Sequence, residues 1–229
     1  MHIVVFGASG PTGRQLTDQA LAAGHRVTAV ARRPQAVPPR AGLTVQAADA
    51  TDPDAVDAAV AGADAVLSAL GATPGRKPVT VYSAGATNIL AAMRRQGVRR
   101  LVAVSSSAVD PAWRPSGEFL FNHLLDPYVN RVIARTAHQD MRRMEAVLRA
   151  SDLDWTIARP SALFDHPVVT GYRHAEESAD GLYTARADLA ASMLSQLTDD
   201  RYLRRAMGVI TTDVRPTLRQ LLRGNSGKG

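Results

Sequence analysis

The chain alternates short apolar runs with longer stretches whose apolar residues recur every three to four positions. Residues 3–6 are uninterruptedly apolar, as a strand buried on both faces requires. Residues 12–23 then put Leu16, Ala20 and Leu21 on one helical face, with Gly24 as the stop. The alternation continues with strands over 26–31 and 43–47. A helix over 53–61 follows, opened by Asp52 as N-cap and by Pro53 in its first turn. A strand over 64–69, a helix over 79–96 stopped by Gly97, a strand over 100–105, a helix over 130–150 and a strand over 155–158 complete the series. Short strands alternating with longer helices predict βαβ units. Right-handed crossovers turn these into an α/β fold, a Rossmann-like doubly wound parallel sheet with helices on both faces. After Pro160 the pattern loosens. Residues 168–172 and 181–184 read as short strands, 186–197 as a helix, 206–211 as a strand and 216–222 as a terminal helix. The expected organisation is a single domain over 1–223, with small cap elements within 108–130 and 161–223. A disordered tail is expected over 224–229.

The first predicted turn carries chemistry. Gly7-Ala-Ser9-Gly10-Pro11-Thr12-Gly13 joins a buried strand to a helix with glycines at every third position. Such a turn lines up backbone N–H groups at a helix N-terminus, where the dipole also favours an anion, so it fits the pyrophosphate of a dinucleotide. Gly7 permits the tight turn, Gly10 lets the backbone come close to phosphate, and Gly13 lets the helix pack on the strand. At the end of the second strand stand Arg32 and Arg33, 19 and 20 residues after Gly13. A carboxylate there would accept from a ribose 2′-hydroxyl and select NAD. Two guanidiniums instead suit a 2′-phosphate, and they predict NADP(H).

The other strand ends supply further candidates. Asp49, after the third strand, can accept from the adenine amino group or cap a helix. Leu70 and Gly71, after the fourth, present small or aliphatic residues where backbone would approach the cofactor. Ser105, Ser106 and Ser107 follow the fifth. Ser105 is placed with the cofactor, and Ser106 is the candidate catalytic serine, able to bond a substrate oxygen. Residues 108–130 hold Trp113, Phe119, Phe121 and Tyr128, four of the chain's 11 aromatics. They read as a wall for a planar acceptor, or as an apolar plug or dimer contact. His123, in the same stretch, could donate a proton.

Composition narrows the partners. There is no cysteine, which excludes disulfides, thiolate metal sites and a cysteine nucleophile. The histidines show no metal-ligand spacing, so no metal site is expected. The net charge of +6 is carried almost entirely by arginine, in pairs dispersed along the chain without interleaved aromatics, and nucleic acid is not an expected partner. No apolar run approaches the roughly 20 residues of a membrane span. The expectation is a cytoplasmic monomer or homodimer acting on a small molecule.

Taken together, Gly7–Gly13, the arginine pair, the serines after strand five, Asp152-Leu-Asp-Trp-Thr-Ile-Ala-Arg159-Pro160 and Arg186-Ala-Asp188 resemble the atypical and extended short-chain dehydrogenase/reductase superfamily. Within it the chain is similar to the NAD(P)H-binding group of NmrA-like proteins and flavin (biliverdin) reductases. The resemblance implies that Gly7, Ser9, Pro11, Thr12 and Gly13 hold pyrophosphate, that Arg32 and Arg33 hold the 2′-phosphate, and that Asp49 and Ala50 lie at adenine. It places Leu70 and Gly71 at the nicotinamide ribose, Ser106 at the active site, and Pro160, Ser161 and Ala162 against the nicotinamide. One departure matters. The superfamily's Tyr-x-x-x-Lys is absent: Tyr128 is followed by Val132 four residues on, and residues 130–150 contain neither tyrosine nor lysine. Tyr128 with Arg131 is a degenerate substitute at best, because arginine does not replace lysine like for like. Without that pair, hydride transfer to a flavin- or quinone-like acceptor needs only positioning, since the acceptor delocalises the charge and solvent supplies the proton. Two rival readings stay open. One is a non-catalytic NADP(H) sensor, and the other a carbonyl or sugar reductase or epimerase using Ser106 and Tyr128.

Overall fold

The protein is described by a computed structural model over residues 1–72, 77–116, 134–217 and 220. Its strands are β1 (His2–Phe6), β2 (Arg26–Ala31), β3 (Leu43–Ala47), β4 (Ala65–Ser68), β5 (Arg100–Val104), β6 (Asp154–Pro160), β7 (Ala162–Phe164), β8 (Tyr172–Glu176), β9 (Tyr183–Ala185) and β10 (Arg205–Thr211). The α-helices among the described residues are α1 (Pro11–Ala22), α2 (Pro53–Val60), α3 (Val81–Gln96), α4 (Arg135–Arg149) and α5 (Arg186–Ser195). Eight strands form one sheet in the order β3-β2-β1-β4-β5-β6-β10-β8, and β7 and β9 make a separate two-stranded ladder. Only β8 runs antiparallel to its neighbour in the main sheet. The order reverses between β1 and β4, so the loop after β1 opens at the switch point of a doubly wound sheet.

The sheet is covered on both faces, which is why its strands read as continuous apolar runs. One core layer packs Val4, Phe6, Val66, Leu101 and Ile157 under α2, α3 and α4. The other packs Ile3, Val5, Leu67, Val102 and Met207 under α1 and α5. The helix signals act as the sequence predicts. Asp52 accepts from the amides of Asp54 and Ala55 at the start of α2. Gly97 ends α3 in the left-handed region at φ +70°.

Two expectations change after Pro160. Residues 168–172 are not a strand: Val168 and Val169 are exposed, and the ladder begins at Tyr172 instead. β8 is an edge strand with exposed Arg173 and Glu176 and half-buried Tyr172 and His174. Its alternating pattern is weaker than the apolar run that precedes it. The C-terminal elements also do more than cap the sheet. β10 pairs with β6 in parallel, β8 pairs with β10, and α5 packs on α1 beneath the sheet. The physical reason is that Ala206–Ile210 is buried on both faces, like an inner strand. Elsewhere the shifts are at element ends: α3 starts at Val81 rather than 79, and β6 extends over seven residues to Pro160. The predicted segments over 117–133 and 221–229 lie outside the described residues, as does most of the expected terminal helix.

Candidate functional site

The loop between β1 and α1 is shaped by what its glycines leave out. Gly7 has φ +76°, and a Cβ there would collide with the carbonyl oxygen of Ala69 at the end of β4. A Cβ on Gly13 would collide with the carbonyl oxygen of Gly7 and come within 2.8 Å of Ala8 Cα. Gly10 is different. It has ordinary extended backbone, φ −74° and ψ 163°, and a Cβ would meet only the Gly7 carbonyl oxygen, at 3.2 Å. Two of the glycines are therefore required by packing, and the third leaves the rim of the loop bare. Gly10 is the N-cap of α1, provides no capping side chain, and is followed by Pro11 with no acidic residue in the first turn. The amides of Thr12 and Gly13 are among the first four of the helix and have no intrahelical acceptor. A helix start of this kind leaves amide donors and the positive end of the dipole available to an anion.

Arg32 and Arg33 follow β2 on the same rim. Both are exposed, and neither guanidinium takes a hydrogen-bond or ion-pair partner among the described residues. Asp49 sits close enough to feel the charge of Arg32. Its Oδ1 accepts both the amide of Thr51, at 2.9 Å, and its hydroxyl, at 2.8 Å. Those bonds from Thr51, more than Arg32, hold the carboxyl below the usual carboxylate range. The other oxygen, Oδ2, accepts no hydrogen bond from the described residues, so the turn role and the adenine role are compatible. Ala50 is buried beside it. Leu70 is half-buried and Gly71 exposed at the end of β4, with the amide of Ala72 donating to the Tyr82 hydroxyl at 3.1 Å.

The serines after β5 divide their roles. Ser105 is buried and its hydroxyl donates to Glu145 Oε1 at 2.7 Å, so it faces the core and not the cofactor it was expected to touch. Ser107 is buried and donates to the carbonyl of Arg159. Ser106, between them, is half-buried. Its oxygen accepts weakly from the Ala108 amide at 3.3 Å, and its hydroxyl proton has no acceptor among the described residues. Pro160 is buried. Ser161 is tied by its amide to the Thr184 hydroxyl and by its own hydroxyl to the Gly181 carbonyl, while Ala162 is exposed and begins β7. The loop after β6 is therefore fixed by the β7–β9 ladder. Trp113 is buried, with its indole N–H on the Ala179 carbonyl at 3.1 Å. It packs under the loop before Leu182 instead of standing open as an acceptor wall. Phe119, Phe121, His123 and Tyr128 lie outside the described residues. His138 is held neutral near pH 7 because burial, aided by Arg142, lowers its pKa to about 4.

Three features had no sequence signal. Glu145 of α4 receives Ser105 together with Arg159 Nε, at 3.0 Å, and Nη2, at 2.6 Å. Arg159 also pairs with Glu177 at 2.9 Å and stands 3.7 Å from Asp110, so one buried guanidinium ties β6 to three other segments. Asp140, fully buried on α4, caps the start of α3. Each joins residues far apart in sequence, and only the crossover of α4 brings them together. A small cavity of about 140 Å³ between α1 and residues 36–43 is separate from these groups and too small for a dinucleotide. Among the described residues no cluster of His, Asp or Glu could hold a metal, and no helix is long and apolar enough to cross a membrane.

Known proteins share this fold. A short-chain dehydrogenase/reductase of Veillonella parvula, solved in complex with NADP, superposes with a TM-score of 0.74 at 24% identity, covering 93% of this chain and 94% of its own. ChuY, an anaerobillin reductase of Escherichia coli O157:H7, gives 0.73 at 23% identity over 95% of this chain and all of its own. These likenesses show the fold. An uncharacterized chloroplastic protein of Arabidopsis thaliana is 31% identical over 176 residues, 72% of this chain and 60% of its own length. Uncharacterized proteins of Mycobacterium tuberculosis are 39% identical over 107 residues, and that match spans only 12% of their length. A family model described as NAD(P)H-binding matches residues 7–200, from the first glycine of the loop to beyond α5, and the chain belongs to that family.

Proposed function

We propose that the protein is an NADP(H)-dependent reductase that passes hydride to a planar conjugated acceptor of the flavin or quinone type. The observation that carries the cofactor choice is the pair of unpartnered guanidiniums, Arg32 and Arg33, beside a helix start with no acidic residue of its own. A 2′-phosphate offers them bidentate, charge-assisted bonds, whereas a bare ribose hydroxyl offers a single uncharged oxygen.

The nicotinamide, when bound, supplies the hydride. The chain's residues hold and orient. The Thr12 and Gly13 amides receive pyrophosphate, Asp49 Oδ2 is open to the adenine amino group, and the loops after β4 and β6 border the nicotinamide half. Ser106 offers a hydroxyl proton to an acceptor oxygen or ring nitrogen. No tyrosine or lysine stands on α4 to protonate a simple carbonyl. An acceptor that spreads the incoming charge over its own ring system and then takes a proton from water removes that need. The fold also serves a reductase in ChuY.

The test has two parts. Calorimetry should show NADPH binding at least tenfold tighter than NADH, and the Arg32→Ala/Arg33→Ala variant should lose NADPH affinity by about 10–100-fold while NADH changes little. NADPH oxidation should then depend on added FMN or a naphthoquinone. Equal losses for both dinucleotides overturn the 2′-phosphate role. Tight NADPH binding with no acceptor-dependent rate across a flavin and quinone panel overturns the reductase in favour of a redox sensor.

A further inference from the structure

One face of α3 holds both loops that close the cleft. Tyr82, Gly85 and Asn88 are three residues apart and share that face. The Asn88 amide donates to the carbonyl of Ala50, on the loop after β3, at 3.0 Å. Gly85 lets the helix come close to both loops: a Cβ there would lie 2.7 Å from Leu70 Cδ1 and 3.3 Å from Ala50 Cβ. The Tyr82 hydroxyl accepts the amide of Ala72, on the loop after β4. Tyr82 is itself buried, and its place is set from another helix. Thr80, at the N-cap position of α3, makes no side-chain capping bond. The fully buried carboxylate of Asp140 does so instead, accepting from the Tyr82 amide at 2.9 Å, the Ser83 amide at 3.2 Å and the Ser83 hydroxyl at 2.5 Å. An anion at that point also suits the helix dipole. A continuous chain of bonds thus runs from α4 through the first turn of α3 to the backbone of residues 70–72.

We infer that Tyr82 is a positioning residue for the nicotinamide half of the cofactor. It acts through the Ala72 amide and holds Leu70 and Gly71 at the rim of the cleft, with Asp140 fixing Tyr82 in turn. The inference rests on the NADP(H) reading above. The division of labour along the helix face follows from the contacts: Asn88 serves the loop expected at adenine, and Tyr82 the loop expected at the nicotinamide ribose. A phenylalanine at position 82 would fill the same space but leave the half-buried Ala72 amide without its acceptor, and the segment would loosen.

Half-molecules of the cofactor separate this role from a purely structural one. Tyr82→Phe should weaken NADPH by about tenfold while leaving 2′,5′-ADP, which lacks the nicotinamide half, within about twofold of the wild type. Amide exchange at Ala72 should quicken in the same variant. Asn88→Ala should do the reverse and weaken 2′,5′-ADP. Asp140→Asn, which keeps an oxygen for the Tyr82 amide, should repeat the Tyr82→Phe pattern more weakly. If Tyr82→Phe leaves NADPH unchanged, or weakens both ligands alike, the positioning role is overturned. Wild-type protein that binds neither NADPH nor 2′,5′-ADP overturns the cofactor reading instead.

Discussion

The glycine loop after β1 and the ion cluster around Arg159 both stand at the C-terminal ends of strands in one sheet, yet they are built in opposite ways. The loop works by omission. Gly7 and Gly13 make room for the Ala69 and Gly7 carbonyls, Gly10 leaves a bare rim, and everything it needs lies within seven consecutive residues. The cluster works by accumulation. Ser105, Asp110, Glu145, Arg159 and Glu177 span more than 70 positions and come from four different segments. The first arrangement is specified by local backbone geometry. The second exists only after the crossovers have formed. At Gly10 the loop can therefore be damaged for binding with little cost to folding, whereas the cluster should be the reverse.

Removing the charge from the cluster is the strongest way to probe that contrast. Arg159 and Glu145 side chains are only 7% and 6% exposed. Arg159→Met would leave Glu145 buried without its partner, a change that costs about 3–5 kcal/mol. Urea denaturation should show that loss as a lower midpoint with an unchanged slope. A variant within about 1 kcal/mol of the wild type would mean that water or Arg149, whose guanidinium stands 3.9 Å from Glu145, replaces the lost guanidinium, and the cluster would not be the structural tie described here.

The loop should answer differently. Gly10 has backbone angles that alanine adopts freely, and its Cβ would meet the Gly7 carbonyl oxygen at 3.2 Å, a tight but tolerable approach. Gly10→Ala should melt within a few degrees of the wild type. It should nevertheless weaken NADPH by about a hundredfold, or roughly 2.7 kcal/mol, because the methyl group occupies the phosphate approach. Calorimetry and a thermal melt on the same sample check both halves. A variant that loses stability and affinity in proportion would show that the loop is a packing element first.

The same contrast explains what the sequence made legible. The strands β1 to β6, the caps at Asp52 and Gly97, and the glycine loop follow from local pattern, because inner parallel strands and helix ends carry short-range signals. The edge strand β8 did not, since its alternation competes with the more apolar Val168-Val169 beside it. Ser105 was placed at the cofactor because a serine at a strand end looks the same whichever way its hydroxyl points. Only the partner, Glu145, 40 residues on, decides it. Asp140 and Tyr82 were missed for the same reason. A carboxylate capping another helix, 58 residues away in sequence, leaves no mark on the spacing of either.

His138 gives the mildest test of the long-range side, and it reports through pH. It stands on α4 in the turn before Asp140, and its Nδ1 is buried without a hydrogen-bond partner. Burial, with a smaller push from Arg142, lowers its pKa to about 4 from an ordinary 6.5. Below pH 6.5 the unfolded chain therefore takes up a proton that the folded chain refuses. Folding stability must fall as the pH drops from 6.5 toward 4, and this contribution is fully present only above 6.5. Between pH 7 and 5 the loss attributable to His138 should be roughly 1–2 kcal/mol. His138→Phe keeps a flat ring in the same space, sacrifices no hydrogen bond at Nδ1, and cannot take up the proton. Denaturation midpoints measured at pH 7 and pH 5 should therefore converge in the variant while they separate in the wild type. If the two proteins lose stability equally over that interval, the acid sensitivity lies with other groups.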